Sequence, residues 1–284
     1  MVRCDAEGYN GKINMRIDKR STAEGSVSYL AEQYYKLPLQ IMTPFYPDSD
    51  GTVSVYLLNP SGGVMEYDNF RIDIYQEDDT KAQILTPSAN KVYRRKSDGT
   101  AHQSMRFTVG SGAWLEYLPD EMIPFKDSAY SQETDFYLQP DSRLITWDIM
   151  AAGRVANEEQ FAFFNYTSQV RIFLKDELVL CDRMKVLPEE RDMHSLLCMD
   201  SYFFLATVYA YAGAENTEEL VVRVREAIQE DAEGAVGISS PEDGFLVIKV
   251  MNRHMYKLHQ ELRVIWSVLR SGILHKEITV TRKY

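Results

Sequence analysis

Carboxylates are the most abundant chemically competent side chains in this sequence, and several stand next to bulky residues. Glu116 lies two residues after Trp114, Asp148 follows Trp147, and Asp182 follows a cysteine. A carboxylate among aromatic side chains must be paired, hydrated or protonated. Two such groups could serve glycoside hydrolysis, or they could give oxygen ligands to a loosely held, partly hydrated cation. For any single acid, exposure on the polar face of a strand is the commoner explanation.

Two further acids follow a tight turn. The run Asn59-Pro60-Ser61-Gly62-Gly63 lies between two strand-like segments, Val53–Leu58 and Phe70–Tyr75. Proline fixes φ and glycine supplies positive φ at little steric cost, so this run predicts a turn. The turn delivers Glu66 and Asp68 to the start of the second strand.

Other chemistries find little support. The run Gly110-Ser111-Gly112 lacks the Gly-x-Ser-x-Gly pattern of a nucleophile elbow, and Gly62-Gly63 is not followed by the Lys and Ser/Thr of a phosphate loop. His254 and His259 are five residues apart on a predicted helix, which turns them about 140° from each other. The cysteines are odd in number and far apart, which argues against a disulfide framework or a Cys-x-x-Cys site; they are Cys4, Cys181 and Cys198.

The charge balance indicates which partners suit the chain. A net charge of −11 disfavours nucleic acid and anionic membranes, whereas cations or a basic protein surface fit better. The sequence contains no run of about 18 apolar residues and no signal-peptide pattern at its start. The expected compartment is the cytoplasm.

The elements that must position the acids are short strands. From Leu37 to Val186 most apolar runs are bounded by Gly, Pro, Asn, Asp or Ser, and none has a helical period over three turns. This pattern predicts a mainly β body, either a sandwich or a β-helix-like stack of strands. The predicted strands are Leu37–Met42, Val53–Leu58, Phe70–Tyr75, Ala82–Thr86, Ser104–Val109, Trp114–Leu118, Thr134–Leu138, Leu144–Met150, Phe161–Tyr166, Val170–Leu174 and Leu178–Lys185.

After Pro188 the pattern changes to β-α-β-β-α. Two amphipathic helices, over 217–230 and 252–271, are predicted from apolar residues at spacings of three and four, and Gly272 is expected at the C′ position of the second helix. The predicted strands are Tyr202–Tyr211, Ala235–Ser239 and Phe245–Met251. We expect one unit over 1–284, in which the segment 189–284 packs on the body 1–188. The helices could cover the end of the body or leave an apolar stripe for a partner.

Five blocks of residues occur in an order that resembles one protein family, the urease accessory protein called D in some operons and H in others. The blocks are Pro44-Phe45-Tyr46-Pro47; Leu57-Leu58-Asn59-Pro60-x-Gly62-Gly63-x-x-x-x-Asp68; Thr86-Pro87-x-Ala89-x-Lys91-x-Tyr93-Arg94; Gly112-Ala113-x-Leu115-Glu116-Tyr117-Leu118-Pro119-x-Glu121-x-Ile123-Pro124-Phe125; and Trp147-Asp148-Ile149-x-x-x-Gly153-Arg154. Two departures stand out. Tyr67 replaces the family's glycine before Asp68, and many members have glutamate where this chain has Asp148 or Asp182.

The resemblance implies a non-enzymatic scaffold for urease maturation. Such a protein binds apo-urease and a helical F-type accessory protein, which recruits a G-type GTPase, and nickel passes through an internal water-filled channel. Nickel is cargo in transit, and no tightly bound cofactor is implied. By motif match the acids near the path are Asp68, Glu116, Asp148 and Asp182, with Glu121 as a weaker candidate. The alternatives are a carbohydrate-active hydrolase that uses paired carboxylates and a purely structural binding module.

Overall fold

The computed structural model describes residues 8–23, 25–213, 217–229 and 234–278. In these ranges the chain forms strands β1 to β17, one 3-10 turn at Val155–Asn157 and helices α1 and α2. The bounds are β1 Gly11–Thr22, β2 Gly25–Lys36, β3 Gln40–Ile41, β4 Val53–Leu58, β5 Asn69–Gln76, β6 Lys81–Leu85, β7 Asn90–Val92, β8 Ala101–Val109, β9 Trp114–Leu118, β10 Met122–Pro124, β11 Ala129–Leu138, β12 Arg143–Ala151, β13 Asn165–Leu174, β14 Glu177–Val186, β15 Phe204–Tyr211, α1 Thr217–Gln229, β16 Ala235–Ser239, β17 Phe245–Asn252 and α2 Met255–Ile273.

Two sheets are built by a chain that alternates between them. The first sheet has the order β14-β13-β11-β8-β5-β1-β2, and its strands β1, β5, β8, β11 and β13 run parallel. In the second sheet β4, β6, β9 and β12 run parallel, and β15, β17 and β16 extend it antiparallel. From β4 to β13 each circuit of the chain adds one strand to each sheet, because parallel neighbours need a crossover. The mainly β, stacked-strand body with two C-terminal helices is confirmed, in its solenoid-like form.

The space between the two sheets is filled by residues that stack from strand to strand. Along the first sheet Ile72 lies beside Met105, Met105 beside Thr134, and Thr134 beside Val170. All four residues line the interior, and the neighbouring column includes Phe107 stacked on an aromatic ring of β11. Alternation along each strand puts every second side chain into this core, with polar residues facing solvent on the other side of the sheet.

The two helices cover the outer face of the second sheet rather than its end. Ile145, Val208 and Ile248 on that face form a second core with Leu262 of α2 and Val224 of α1. This cover answers the question that the sequence left open, since the apolar stripes of both helices are buried against the sheet. Among the described helices, none is both long enough and apolar enough to span a membrane.

Two strand predictions were wrong, and the strands β1 and β2 before Leu37 were not predicted. The alternating apolar residues of β1 are interspersed with charged residues that face solvent, so the segment lacks a clear apolar run. The strand expected over Leu37–Met42 shrinks to the two residues of β3. The strand expected over Phe161–Tyr166 does not form, because Phe161 has a φ of 49°, which an extended strand does not allow.

Gly272 is not the C′ residue of the second helix. It lies inside α2, where a Cβ atom would come within 2.2 Å of Leu220 Cδ2 on α1. Glycine is therefore explained by the close approach of the two helices and not by helix termination. Within the first predicted helix, residue 230 lies outside the described residues.

Candidate functional site

A cavity of about 380 Å³ lies between the two sheets. It reaches from the loops at Asn59–Gly62 and Thr86–Lys91 into the interior. Its deep wall is unusually polar for a protein core. The alternation of side chains along the strands places several polar residues on the inner faces of both sheets. The polar side chains that line its interior include Gln103, Tyr117, Asp120, Gln132, Thr134, Thr146, Asp148 and Tyr209.

Asp148 is the acid that faces this cavity from the middle of β12. Its Oδ1 accepts a hydrogen bond from Gln132 Nε2 at 2.9 Å, and its Oδ2 accepts one from Ser168 Oγ at 2.5 Å. Both donors stand on neighbouring strands of the first sheet, where the register pairs Gln132 with Ser168. The carboxylate thus spans the gap between the sheets, and one side of it remains open to the cavity.

Burial governs the protonation of this group. Burial raises the pKa of Asp148, the hydrogen bonds from Ser168 and Gln132 oppose that rise, and the charge of Asp182 adds to it. Burial, together with the nearby Asp148 charge, also raises the pKa of Tyr117 and Tyr130. These phenols therefore stay neutral at physiological pH. A cation that entered the cavity would meet the carboxylates of Asp148 and Asp120 together with hydroxyls and amides, a set suited to weak, partly hydrated binding.

Asp182 lies behind the cavity wall rather than in it. Tyr209, which lines the cavity, donates a hydrogen bond from its hydroxyl to Asp182 Oδ2 at 3.0 Å. Lys249 Nζ stands 2.8 Å from the same oxygen, and the Asp182 side chain is 25% exposed. Asp182 therefore connects the buried tyrosine to the molecular surface.

Glu116 lies on the opposite face of the second sheet, under α2. Its Oε1 accepts a hydrogen bond from Trp266 Nε1 at 2.6 Å and lies 3.3 Å from Arg270 Nε, and its Oε2 accepts one from Gln83 Nε2 at 3.2 Å. Arg270 also pairs with Asp48. Burial raises the pKa of Glu116, opposed by Arg270 and Trp266. Glu116 and Asp148 thus lie on opposite faces of the second sheet, because Glu116 contacts α2 whereas Asp148 faces the space between the sheets.

Asp68 belongs to the turn before β5. It accepts hydrogen bonds from the Met65 amide at 2.7 Å and from Asn10 Nδ2 at 3.1 Å. Tyr67 adopts a φ of 65°, so the left-handed conformation that a glycine would favour is kept by a tyrosine. Glu66 accepts hydrogen bonds from Ser97 Oγ and from three amides of the loop 96–99, which lowers the pKa of Glu66 to about 2.

Sequence reasoning missed several cavity residues. Asp120 lines the cavity, and its Oδ2 accepts a hydrogen bond from Thr86 Oγ1 at 3.2 Å. Asp120 stands at a variable position of the fourth block, between Pro119 and Glu121, and its place inside that block is the one signal that the sequence carries for it. Gln132 and Tyr209 carry no signal in the sequence, because the register of distant strands brings them to Asp148. The weaker candidate, Glu121, lies 3.3 Å from His259 Nε2 of α2.

Within the described residues, no three His, Cys, Asp or Glu side chains converge as a metal cluster. Cys181 and Cys198 are both free thiols, and Cys4 lies outside the described residues. The fold and the site define a solenoid-like β protein with a helical cover and a polar internal cavity that two carboxylates, Asp148 and Asp120, line.

The chain belongs to the UreD urease accessory protein family, whose family model matches residues 9–283. Among similar proteins, the urease accessory protein UreD of Alcanivorax borkumensis is 30% identical over 277 residues, which is 97% of this chain and 92% of that protein. Those of Vibrio parahaemolyticus and Bacillus cereus are 31% and 29% identical, covering 86% and 88% of this chain and 86% and 91% of theirs. The resemblance seen in the five blocks is confirmed. The names are those of accessory proteins for an enzyme, so the chain is a urease maturation factor and not a hydrolase.

Proposed function

We propose that this protein is a scaffold for urease maturation that passes nickel through its interior. The observation that carries the proposal is the cavity between the two sheets, with the carboxylate of Asp148 open to it in a member of a urease accessory family. A transfer path must bind its cargo weakly enough to release it. Two carboxylates, Asp148 and Asp120, among neutral hydroxyl and amide neighbours meet that requirement better than a closed cage of ligands.

The raised pKa of Asp148 gives the passage a proton dependence. A divalent cation and a proton compete for the same oxygens, so nickel binds by displacing the proton. Because the pKa of Asp148 is raised, protons begin to compete with nickel at a higher pH than they would for an exposed aspartate. Release is favoured when the proton returns.

The other candidate acids differ in how strongly protein groups engage their carboxylates, so we expect them to contribute unequally to nickel transfer. Asp182 is the next acid beyond Tyr209 and would take the cation toward the surface. Asp68 is engaged by turn hydrogen bonds, and Glu116 is engaged by Trp266 and Arg270 on the far face of the sheet. We rank Asp148 first and Asp182 second on the nickel path, and keep Asp68 and Glu116 as the candidates to be tested against them.

The partners in this proposal are apo-urease, the F-type helical accessory protein and, through it, the G-type GTPase. The chain acts as a single unit over 1–284, in the cytoplasm, with nickel in transit and no tightly bound cofactor. Its negative charge of −11 suits both a cationic cargo and basic patches on protein partners.

The test is to co-express the urease subunits and accessory proteins with Asp148→Asn, Asp182→Asn, Asp68→Asn or Glu116→Gln in this chain. Asp148→Asn is expected to lower the nickel content and activity of purified urease roughly tenfold or more, while the partners still co-purify. The variant should melt at or above the wild-type temperature, because it removes the cost of burying a charge. Asp148→Glu, which keeps the carboxylate, is the matched control and should retain most of the nickel transfer.

Two results would count against the proposal. If Asp148→Asn left urease fully loaded with nickel, the cavity would not be the path. If the wild-type chain failed to retain urease or the accessory proteins on co-purification, the scaffold role itself would fail.

A further inference from the structure

The loop between β14 and β15, residues 187–203, carries two leucines in full contact with solvent. Leu196 is 83% exposed and Leu197 is 95% exposed, more than any other large apolar side chain in the described residues. Single exposed apolar residues are common on protein surfaces, but two adjacent ones in one loop form a small apolar patch, and exposed apolar patches mark interaction sites.

The loop that presents the leucines is held in one conformation. Its amides close a series of turns, from Ser195 N to Asp192 O at 3.2 Å, from Cys198 N to Ser195 O at 2.9 Å and from Met199 N to Met193 O at 3.0 Å. The two methionines are 9% and 5% exposed and join the core between the sheets. The buried methionines Met193 and Met199 therefore anchor the loop on both sides of the leucines, whereas the leucines themselves are exposed to solvent.

A histidine ring closes the base of the loop. His194 packs edge-on against Phe161 and Phe203, with ring centroids 5.5 and 6.4 Å apart, and its Nδ1 lies 3.3 Å from the carbonyl oxygen of Asp200. The leucines thus stand on a base that is already ordered, so a partner would not have to meet the entropic cost of ordering it.

The charges around the leucines decide what kind of partner fits. The loop carries four acids, Glu189, Glu190, Asp192 and Asp200, and one basic residue, Arg191, which gives 1 − 4 = −3. Arg253 adds one positive charge at the end of the loop, where its Nη2 donates to Ser201 Oγ at 2.6 Å. A loop that stays net negative repels an anionic lipid surface, and it repels a second copy of a chain with a net charge of −11. It attracts a protein surface that places Lys and Arg around an apolar pocket.

We propose that Leu196 and Leu197 are the anchor of a protein–protein interface whose partner offers an apolar pocket bordered by basic residues. This inference rests on the proposed function in one respect, since the partner is sought among the components of urease maturation. It concerns a surface distinct from the cavity, because neither leucine lines it.

The experiment compares the full-length chain with the double variant Leu196→Asp/Leu197→Asp in co-purification and titration against the urease subunits and the F-type and G-type proteins. The expected result is a loss of affinity of roughly thirtyfold or more for one component, with the others retained. Leu178→Asp is the matched control. Leu178 is 54% exposed on the edge strand β14, and its replacement should change no affinity.

A second variant, Glu189→Gln/Glu190→Gln/Asp192→Asn, leaves the leucines in place and removes three charges. It should slow association with the same component and flatten the salt dependence of binding. The proposal is overturned if the double leucine variant binds every component like wild type. It is also overturned if the variant instead abolishes self-association by light scattering or flotation with phosphatidylcholine vesicles. A wild-type chain that retains no component would overturn the proposed function as well.

Discussion

At the scale of single residues, the buried Glu116 is the most informative acid to change. Glu116→Gln keeps an oxygen for Trp266 Nε1 and should be at least as stable as wild type at neutral pH, because the folded pKa of Glu116 is raised. Glu116→Ala leaves the Trp266 and Gln83 donors without this acceptor and opens a cavity, so it should cost about 2–4 kcal/mol. Urea denaturation of the isolated chain measures both.

The pH dependence of the free energy of unfolding provides a control for the comparison of wild type with Glu116→Gln. An acid with a raised folded pKa binds more protons in the folded state, so the wild type gains stability as pH falls from the raised pKa toward the ordinary value of 4.5. Glu116→Gln lacks that gain, and the difference between the two proteins should shrink across this window. A Glu116→Gln variant that is stable but delivers no nickel would instead place Glu116 on the metal path.

The sequence predicted the chemical environment of the acids better than it predicted where they lie in the fold. The aromatic neighbours of Glu116 and Asp148 indicated that each acid must be paired, hydrated or protonated, and both accept side-chain hydrogen bonds in the structure. Nothing in the sequence indicated that they face different cores, because that depends on which face of the second sheet each position occupies. The replacement of the family's glycine by Tyr67 changes the turn less than the residue type suggested, because Tyr67 adopts a φ of 65°, the left-handed conformation that glycine favours.

At the scale of elements, the close contact between α1 and α2 at Gly272 predicts that a glycine-to-alanine change destabilises the protein, which is opposite to its usual effect in a helix. Alanine normally stabilises a helix interior by about 1 kcal/mol over glycine. Here its Cβ would come within 2.2 Å of Leu220 Cδ2, and overpacking costs about 1–3 kcal/mol, so Gly272→Ala should destabilise the protein. In a Leu220→Ala background the same change should stabilise it. Chemical denaturation of the four proteins in this double-mutant cycle gives the coupling energy, and additive effects would show that the helices do not meet at this point.

The sequence predicted individual elements best where burial is one-sided or complete. Val53–Leu58 and Trp114–Leu118 were predicted at their observed bounds. Ala235–Ser239 was also predicted at its bounds although it is a half-exposed edge strand, because Gly234 and Ser240-Pro241 delimit it. The sequence failed at β1, whose outward face is charged, and at β2, an edge strand that is mostly exposed. In both, pairing with a neighbouring strand outweighs local hydrophobicity, and pairing has no local signal.

At the scale of the whole molecule, the choice between a sandwich and a stack of strands was beyond the sequence. The parallel partners Met105 and Thr134 belong to β8 and β11, and the loops between successive strands differ in length, so no period marks the circuits of the chain. The candidate site shares this limit. Asp148 was identified as a candidate, whereas Gln132, Ser168 and Tyr209 reach it only through the assembled sheets.

The assembled interior can be tested by narrowing it without touching an acid. Thr134 lines the cavity between the apolar residues Met105 and Val170 in the first sheet. Thr134→Phe would extend a ring into a space of about 380 Å³, while Thr134→Val keeps the side-chain size.

If nickel crosses the interior, Thr134→Phe should lower the nickel content of co-expressed urease to the level of Asp148→Asn, and Thr134→Val should leave it near wild type. Melting temperature and co-purification of the partners must stay close to wild type for the comparison to hold, and a cavity of this size gives the ring room. Full nickel loading with Thr134→Phe would mean that the metal travels over the surface, and that the polar interior serves the fold alone.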